Sequence, residues 1–355
     1  MILAAAQAVA GAVVMRRLAR GRHRRPPLTA PPEPPAATIS VVVPARDEAA
    51  RIGPCLAGLL ADPDVDEVVV VDDGSRDGTA DVAAAAGARV VAAGEPPAGW
   101  IGKPWALERG LREASGEVVV SVDADTRPRP GLARALVAAL ADADLVSAAA
   151  SFVCDGAAER ALHPALLATL VYRFGPPDGT PAPGPARLLV NGQCTAARRG
   201  ALVAAGGYAA AAGHMTDDAA QARALARDGW RVHVRDSGGL VAVDMHDSAA
   251  EVWREWGRSL ALPDVTAPAW QAFDLAVVWL TLGLPPLRLL AGRAGRLDMA
   301  MLALRWLMTV PLASAYARRG VAYWLSPVAD PLAAARLTLS ALRPARSWRG
   351  RTYAA

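Results

Sequence analysis

Short runs of β-branched residues alternate with segments of helical pattern between residues 38 and 151. Strands separated by helices of this length require right-handed crossovers, and the product is a mostly parallel sheet covered by helices. The predicted fold class is therefore α/β, with a Rossmann-like sheet. The predicted strands are 38–43, 67–71, 89–91, 118–123 and 145–151, and the predicted helices are 48–60, 77–86, 103–114 and 131–140.

The fourth predicted strand ends in two carboxylates, Asp123 and Asp125, which a loop rich in Pro and Gly follows. If the backbone stays extended through Asp125, both side chains project from the same face, since strand residues alternate. Ligands of open α/β sheets bind at the carboxyl ends of the strands. The pair suits a hard cation that holds a diphosphate. An Asp-rich turn that caps the next helix is the alternative.

The first two predicted strands end in polar residues as well. Pro44, Arg46 and Glu48 follow the first strand, where Pro44 is expected to stop ladder pairing. Asp72 and Asp73 follow the second strand, and adjacent carboxylates need a partner such as a base N–H or ribose hydroxyls. Each cluster alone also fits an ordinary helix entrance. Together, three clusters at the ends of three parallel strands predict a nucleotide site with a metal.

A glycine-flanked lysine, Lys103, begins the predicted helix 103–114. A lysine at a helix N-terminus can meet a phosphate through its charge and the helix dipole together. A solvated side chain is the alternative. Residues 157–250 are less regular, with a loop at 175–185, strands at 188–195, 230–234 and 240–243, and a helix at 215–227.

The motifs together resemble the family 2 glycosyltransferases of GT-A fold. The matching stretches are 41–48 (VVVPARDE), 71–79 (VDDGSRDGT), 123–125 (DAD) and 216–218 (TDD). Residues 99–106 and 348–353 resemble the membrane-bound branch that is associated with hopanoid and carotenoid glycosylation. The chain departs from the family pattern at Asp47, where Asn is usual, and at Asp217, where Glu is common.

The resemblance implies a role for each matching residue. It implies that Pro44, Arg46 and Glu48 line the nucleotide pocket and that Asp73, with Asp72, contacts the base. Asp123 and Asp125 are expected to meet ribose, diphosphate and Mg²⁺ or Mn²⁺. Asp218 is the expected catalytic base, beside Asp217, because inverting transfer needs a group that takes the acceptor's proton. The alternative for both is charge at a helix N-terminus. The expected donor-site residues are Pro44, Arg46, Glu48, Asp72, Asp73, Lys103 and Asp123.

The sequence allows two interpretations at each of two further sites. Residues 191–193, expected to precede a helix, lie beside the acceptor in the family context or form a plain turn. His246 is an extra metal ligand or a structural histidine.

Apolar segments at both ends predict a membrane protein. Hydrophobic residues make up 53% of the chain and charged residues 20%. Residues 1–15 are apolar but short for a span, and 273–290, 297–317 and 321–342 have bilayer length. Charges interrupt each of the last three, so a buried helical domain is the alternative. Trp253 and Trp256 in 248–264 suit an interfacial helix, and packing against the catalytic domain is its alternative.

The predicted order of segments follows from these patterns. It is an N-terminal membrane anchor with a basic flank (1–25), a Pro-rich linker (26–37), a GT-A domain (38–247), an amphipathic interfacial helix (248–264), transmembrane helices (268–343) and a basic cytoplasmic tail (344–355). The three cysteines have no metal-type spacing and indicate a reducing compartment.

The predicted function is transfer of a sugar from a nucleotide diphosphate donor to a lipid hydroxyl. The enzyme is expected to be a multi-pass protein whose catalytic domain faces the cytoplasm. A polyprenyl-phosphate sugar synthase and a non-catalytic membrane protein are the alternatives. Nucleic acid is not an expected partner, because no aromatic stacking platform interleaves with the basic runs.

Overall fold

The computed structural model describes residues 1–343, 347–348 and 351–352. The strands are β1 (Ile39–Ala45), β2 (Glu67–Asp72), β3 (Arg89–Ala92), β4 (Val118–Val122), β5 (Thr126–Pro128), β6 (Leu145–Ala149), β7 (Ser151–Phe152), β8 (Cys194–Arg198), β9 (Val232–Asp236), β10 (Val241–Val243), β11 (Ser347–Trp348) and β12 (Arg351–Thr352). The helices are α1 (Ile2–Leu18), α2 (Ile52–Leu60), α3 (Thr79–Ala85), α4 (Gly102–Glu113), α5 (Leu132–Ala139), α6 (Ala157–Phe174), α7 (Arg199–Ala204), α8 (Asp217–Arg227), α9 (Ala249–Glu251), α10 (Gly257–Ser259), α11 (Pro268–Val278), α12 (Leu284–Leu290), α13 (Arg296–Leu312), α14 (Val321–Trp324) and α15 (Asp330–Leu342).

The chain divides into two compact units. The α/β unit contains Arg25–Ser151, Gly184–Met245 and the described part of the C-terminal tail. The helical unit contains Met1–Arg24, Phe152–Pro183 and residues 246–343. Residues 152–183 therefore group with the helical unit and not with the predicted domain 38–247, because α6 is apolar and packs among the other helices of that unit.

A seven-stranded sheet of order β3-β2-β1-β4-β8-β6-β9 forms the centre of the α/β unit. Strand β8 runs antiparallel to both neighbours, and the other described pairs in this sheet are parallel. The prediction of a mostly parallel α/β sheet is therefore confirmed. Its core is built from strand valines such as Val42, Val69 and Val119, which pack with Leu107 and Leu111 of α4. Burying one such side chain stabilises the fold by about 1.5–3 kcal/mol.

Several predicted boundaries in this unit are wrong by a few residues. Strand β1 continues through Pro44 to Ala45, because its pairing with β2 persists after pairing with β4 has ended at Val42. Helix α2 begins at Ile52 and not at Glu48, whose carbonyl accepts N–H groups in a turn. The predicted strand 188–195 forms only from Cys194 onward.

The Pro-rich segment at 26–37 lies against the α/β unit. Leu28 is buried, and its N–H donates to the carbonyl of Asp236 over 2.8 Å. The carbonyls of Pro31 and Pro32 accept hydrogen bonds from Arg134. These contacts fix the segment to the α/β unit.

Three helices of the helical unit are long and apolar enough to cross a membrane. They are Ile2–Arg22, Pro268–Leu290 and Arg296–Ala315, with 21, 23 and 20 residues. The N-terminal helix is longer than predicted, because it continues into the basic run. The third predicted C-terminal segment, 321–342, is divided into α14 and α15 by a 3₁₀ turn at Ser326–Ala329. Pro327 in this turn disfavours helical backbone at the residue before it.

Polar contacts join these helices near both ends. The amide of Gln7 donates to Asp298 over 2.7 Å, and Asp298 also pairs with Arg288. Towards the other end of α1, Arg17 pairs with Asp274 over 2.8 Å. Helix α1 therefore runs antiparallel to Pro268–Leu290 and in the same direction as α13. Asp274, Asp298 and Arg305, which interrupt the apolar segments, are each paired inside the unit, and this pairing lowers the cost of their burial.

The predicted interfacial segment 248–264 is helical over part of its length, as α9, a π-helical turn at Val252–Trp256 and α10. Val252 is buried, and the ring of Trp256 stacks on His163 with 4.1 Å between centroids. The segment thus packs inside the helical unit, and a position at a membrane interface stays a prediction. The predicted basic tail, 344–355, lies outside the described residues except for β11 and β12.

Candidate active site

The carboxyl ends of β2, β1 and β4 lie side by side in the sheet. Asp73 follows β2, Arg46 follows β1, and Asp123 follows β4. The parallel direction of these strands brings three residues that are far apart in sequence to one edge. This is the edge where open α/β sheets bind ligands.

Arg46 and Asp73 form a buried pair at this edge. A guanidinium nitrogen of Arg46 donates to the carbonyl of Asp73 and lies 3.5 Å from its carboxylate. Asp73 is 2% exposed, and its N–H donates to the carbonyl of Ala45. Arg46 is therefore the partner of Asp73. The half-buried Asp72 instead accepts the N–H of Ser75 at 3.3 Å.

The loops after β1 and β2 are tied together by side chains. Asp47 has a φ of 52°, a left-handed conformation that Asn and Asp adopt more readily than most residues. Its carboxylate accepts the N–H of Arg76 at 2.8 Å. Asp77 accepts the N–H groups of Ala49 and Thr79 and so links the same two loops. Glu48 is buried, and its N–H donates to Thr79.

The segment from Asp123 to Thr126 is a turn and not a continued strand. The N–H of Thr126 donates to the carbonyl of Asp123 at 3.1 Å, and the N–H of Asp123 donates to Gln193. The expectation that both carboxylates leave one face of an extended strand is therefore wrong. The turn still keeps Asp123 and Asp125 half-buried at the end of β4.

Lys103 lies at the start of α4, and its ammonium is 2.8 and 2.9 Å from the two carboxylate oxygens of Asp123. The sequence contains 38 basic residues, and Lys103 is its one lysine. Burial acts to lower its pKa, but the charges of Asp123, Asp217 and Asp218 outweigh burial and raise the pKa. A compact ammonium within reach of three carboxylates is therefore held charged, where it can also meet a diphosphate.

The carboxylate of Asp218 is fixed by two backbone donors. The N–H of Gly192 reaches one oxygen at 3.1 Å, and the N–H of Ala219 reaches the other at 2.7 Å. Gly192 lies in the loop before β8, where Asn191 accepts the N–H of Gln193 and closes a turn. The segment 191–193 precedes a strand and not a helix, and it holds the expected base.

Burial raises the pKa of both carboxyl groups at the start of α8. The pKa of Asp217 rises to about 7, because burial and the charges of Asp218 and Asp123 outweigh the opposing effect of Lys103. The pKa of Asp218 rises for the same first cause, against Lys103 and the two N–H donors. A carboxyl group whose pKa approaches neutrality is suited to proton transfer at physiological pH.

The oxygen atoms at this edge fit a hard divalent cation. Among the described residues, no group of three or more His, Cys, Asp or Glu side chains is placed to hold a metal alone. Mg²⁺ typically takes one or two carboxylates and fills its other positions with phosphate oxygens and water. Asp123 and Asp125 supply that number of protein ligands.

The close approach of Gly192 to Asp218 gives a direct prediction. A Cβ at position 192 would lie 2.5 Å from the Cβ of Asp218 and 3.0 Å from its Cγ. We expect Gly192→Ala to displace the carboxylate and to lower kcat about 100-fold, in line with the effect of small misplacements. Gly200→Ala is the matched control, because nothing lies within 4 Å of its added Cβ. Equal activity of the two variants would show that the position of Asp218 is unimportant.

The sequence analysis missed the residues behind Asp217 and Asp218, chiefly Tyr208 and Gln221. Gln221 lies one helical turn after Asp217 on α8, and this spacing was the available signal. His246 is buried in the helical unit, with its ring 6.3 Å from that of His163.

Comparison with known proteins identifies relatives of the α/β unit. Residues 40–203 match the model described as glycosyl transferase family 2. A 122-residue segment is 44% identical to glucosyl-3-phosphoglycerate synthase of Mycolicibacterium paratuberculosis, covering 32% of this chain and 37% of that protein. An 89-residue segment is 37% identical to 4,4'-diaponeurosporenoate glycosyltransferase of Staphylococcus aureus, covering 25% of this chain and 24% of that protein. The chain thus spans little more than a third of the first relative.

One solved structure matches nearly the whole chain. A mannosyltransferase from Pyrobaculum calidifontis, solved in complex with GDP-Man and Mn²⁺, is 21% identical with a TM-score of 0.56. The alignment covers 96% of this chain and 98% of that one. At this identity the likeness shows a shared fold.

Proposed function

We propose, on the premise that residues 40–203 belong to glycosyl transferase family 2, that the protein is a metal-dependent, inverting glycosyltransferase. It takes a sugar from a nucleotide diphosphate donor and transfers it to the hydroxyl of a lipid. One observation carries the proposal: Lys103 pairs with Asp123 and also interacts with Asp218, so carboxylates from distant parts of the chain act on one ammonium in the α/β unit.

The donor site is the edge formed by the ends of β1, β2 and β4. Arg46 and Asp73 offer a charged pair to the base and ribose, with Pro44, Glu48 and Asp72 around it. Asp123 and Asp125 would hold the cation, and Lys103 is placed to transfer its contact from Asp123 to the diphosphate. A bound Mg²⁺ or Mn²⁺ would neutralise the charge of the leaving diphosphate as a Lewis acid.

Asp218 acts as the general base in this proposal. It takes the proton of the acceptor hydroxyl while the new bond to the anomeric carbon forms. The N–H groups of Gly192 and Ala219 hold its carboxylate in place for this step. Attack from the face opposite the leaving group inverts the anomeric centre.

Apolar surface in the helical unit supports a lipid acceptor. Leu290, Leu307 and Val310 are 85, 69 and 64% exposed on helices that are long enough to span a bilayer. Exposed apolar area of this extent is typical of membrane contact. The relative named for 4,4'-diaponeurosporenoate also supports an apolar acceptor.

The distribution of arginines supports a cytoplasmic catalytic unit. Six of them, at 16, 17, 20, 22, 24 and 25, occupy the end of the N-terminal helix and the residues after it. Basic flanks favour the cytoplasmic side, and the α/β unit begins at Arg25 directly after them. The antiparallel contact of Arg17 with Asp274 puts the start of Pro268–Leu290 on the same side.

The test is turnover of a panel of labelled nucleotide sugars by the purified chain in lipid vesicles. One arm supplies membrane lipid extract, a second supplies polyprenyl phosphate, and a third supplies 3-phosphoglycerate. We expect transfer to a lipid hydroxyl with inverted anomeric configuration. Transfer only to a phosphate, only to the soluble acceptor, or to none of the three contradicts the proposal.

A further inference from the structure

A small cavity lies directly behind the two carboxylates at the start of α8. Its volume is about 30 Å³, and Asp217 and Asp218 both line it. A cavity of about 10–15 Å³ measured in this way already holds one water molecule. A space of this volume accommodates an ordered water molecule.

The polar part of the cavity wall needs such an occupant. Its other polar residues are Ser121, Thr195, Tyr208 and Gln221. The hydroxyls of Ser121 and Thr195 already bond each other at 2.7 Å. The amide nitrogen of Gln221 donates to the carbonyl of Gly207, while its buried Oε1 has no hydrogen-bond partner among the described residues. A buried acceptor left unsatisfied costs about 1–3 kcal/mol, which a water molecule removes.

We propose that this cavity holds an ordered water through which Asp218 passes the acceptor's proton to Asp217, which makes Asp217 a proton-holding partner of the base. The inference rests on the proposed function. The water donates to Oε1 of Gln221 and to one carboxylate, and it accepts from the other carboxyl group once that group is protonated, so three polar groups fix its orientation.

The proton transfer balances without a further reactant. The acceptor oxygen bonds to the anomeric carbon as the bond from that carbon to the diphosphate oxygen breaks. The acceptor's proton moves to Asp218, then to the cavity water, while the water gives one of its own protons to Asp217. Asp217 ends neutral and Asp218 is again a carboxylate.

The charges around Asp217 suit this role. Lys103 faces it from α4, Asp123 from the end of β4 and Tyr208 from the loop before α8, with Asp218 beside it on α8. Burial first, then the neighbouring carboxylates, raise the pKa of Asp217 to about 7. A group with this pKa accepts a proton during turnover and releases it to neutral solvent afterwards.

Two variants test the relay, with the pH profile of kcat as the common measurement. Asp217→Asn cannot accept the proton, and it removes the group with a pKa of about 7 whose protonation would block the relay on the acidic side. We expect kcat of Asp217→Asn to fall about tenfold, which is a small part of what acid–base catalysis supplies. We also expect the acidic limb of its pH profile to move to lower pH. Val190→Leu adds one methylene to the cavity wall and displaces the water. We expect a similar loss of kcat with an unchanged KM for the donor.

Val203→Leu, at a 48% exposed side chain, is the matched control for added volume. Wild-type kcat in either Asp217→Asn or Val190→Leu overturns the relay, and so does an unmoved acidic limb in Asp217→Asn. Asp218→Asn separates this failure from failure of the proposed function. If Asp218→Asn is inactive while the relay variants are normal, the base stands and the relay falls.

A stability measurement tests Asp217 without any turnover. Its pKa is raised from 3.8 to about 7, so the folded protein binds more protons than the unfolded chain in that range. Stability from this group is therefore present below its ordinary pKa and is lost as pH rises towards 7. The Tm of wild type, relative to Asp217→Asn, should fall over this range. A pH-independent difference overturns the assignment of Asp217 as the group that holds the proton.

Discussion

Asp218→Asn abolishes sugar transfer, with kcat lowered about 1,000-fold, while the protein still folds and binds donor. The amide cannot take the acceptor's proton, and a general base typically contributes about 10²–10⁴ in rate. The amide oxygen of Asn accepts one of the two backbone N–H groups that hold the wild-type carboxylate, while its NH₂ faces the other, so folding of the variant is checked by circular dichroism. Transfer is measured with a saturating nucleotide sugar and acceptor lipid in vesicles.

Assignment of Asp218 as the base also predicts the pH profile of kcat for the wild type. Because burial raises the pKa of Asp218, the acidic decline of kcat should lie above the ordinary carboxyl pKa of 3.8. Asp228→Asn is the control, since Asp228 is exposed at the other end of α8. If Asp218→Asn retains transfer near the control, the base has been assigned to the wrong residue.

Asp125→Asn has the second-largest expected effect, a loss of transfer of about 100-fold or more. The half-buried carboxylate in the turn after β4 is one of two side chains proposed to hold the cation. A neutral amide oxygen is a weaker ligand for a hard divalent ion. The Mn²⁺ concentration that gives half-maximal activity should therefore rise at fixed donor.

Asp81→Asn, on the exposed surface of α3, removes the same charge from the α/β unit and should leave the Mn²⁺ dependence unchanged. An Asp125→Asn enzyme with the Mn²⁺ dependence of wild type would mean that Asp125 has no role in cation binding. Asp123 is less suited to this test, because its loss would also release Lys103.

The alternation of strands and helices was enough to predict the sheet. Parallel pairing of β1, β2 and β4 follows from buried strands that helices separate, and this pairing brings Asp73 and Asp123 to one edge. A turn after Asp123 was predicted only as an alternative. The N–H of Thr126 closes this turn locally, while its place against the loop before β8 depends on a hydrogen bond from Asp123 to Gln193, about 70 residues later. Pairing of Asp73 with Arg46, and of Asp123 with Lys103, also depends on contacts between distant segments.

The helical unit was harder to predict from its apolar segments. Hydropathy marks Pro268–Leu290 and Arg296–Ala315, but it does not reveal that Pro327 interrupts the next segment. Helix α6 was missed as part of this unit, since it lies between two stretches of the α/β unit in sequence. Its apolar residues look like those of any buried helix, so only its tertiary contacts assign it to the helical unit.

The most direct test is titration calorimetry of the purified full chain with UDP and with GDP, each with and without Mn²⁺. The account predicts one nucleotide site per chain, bound at least tenfold more tightly with Mn²⁺ and weakened in Asp125→Asn. Binding of neither nucleotide, or binding that is indifferent to both the cation and Asp125, would contradict it.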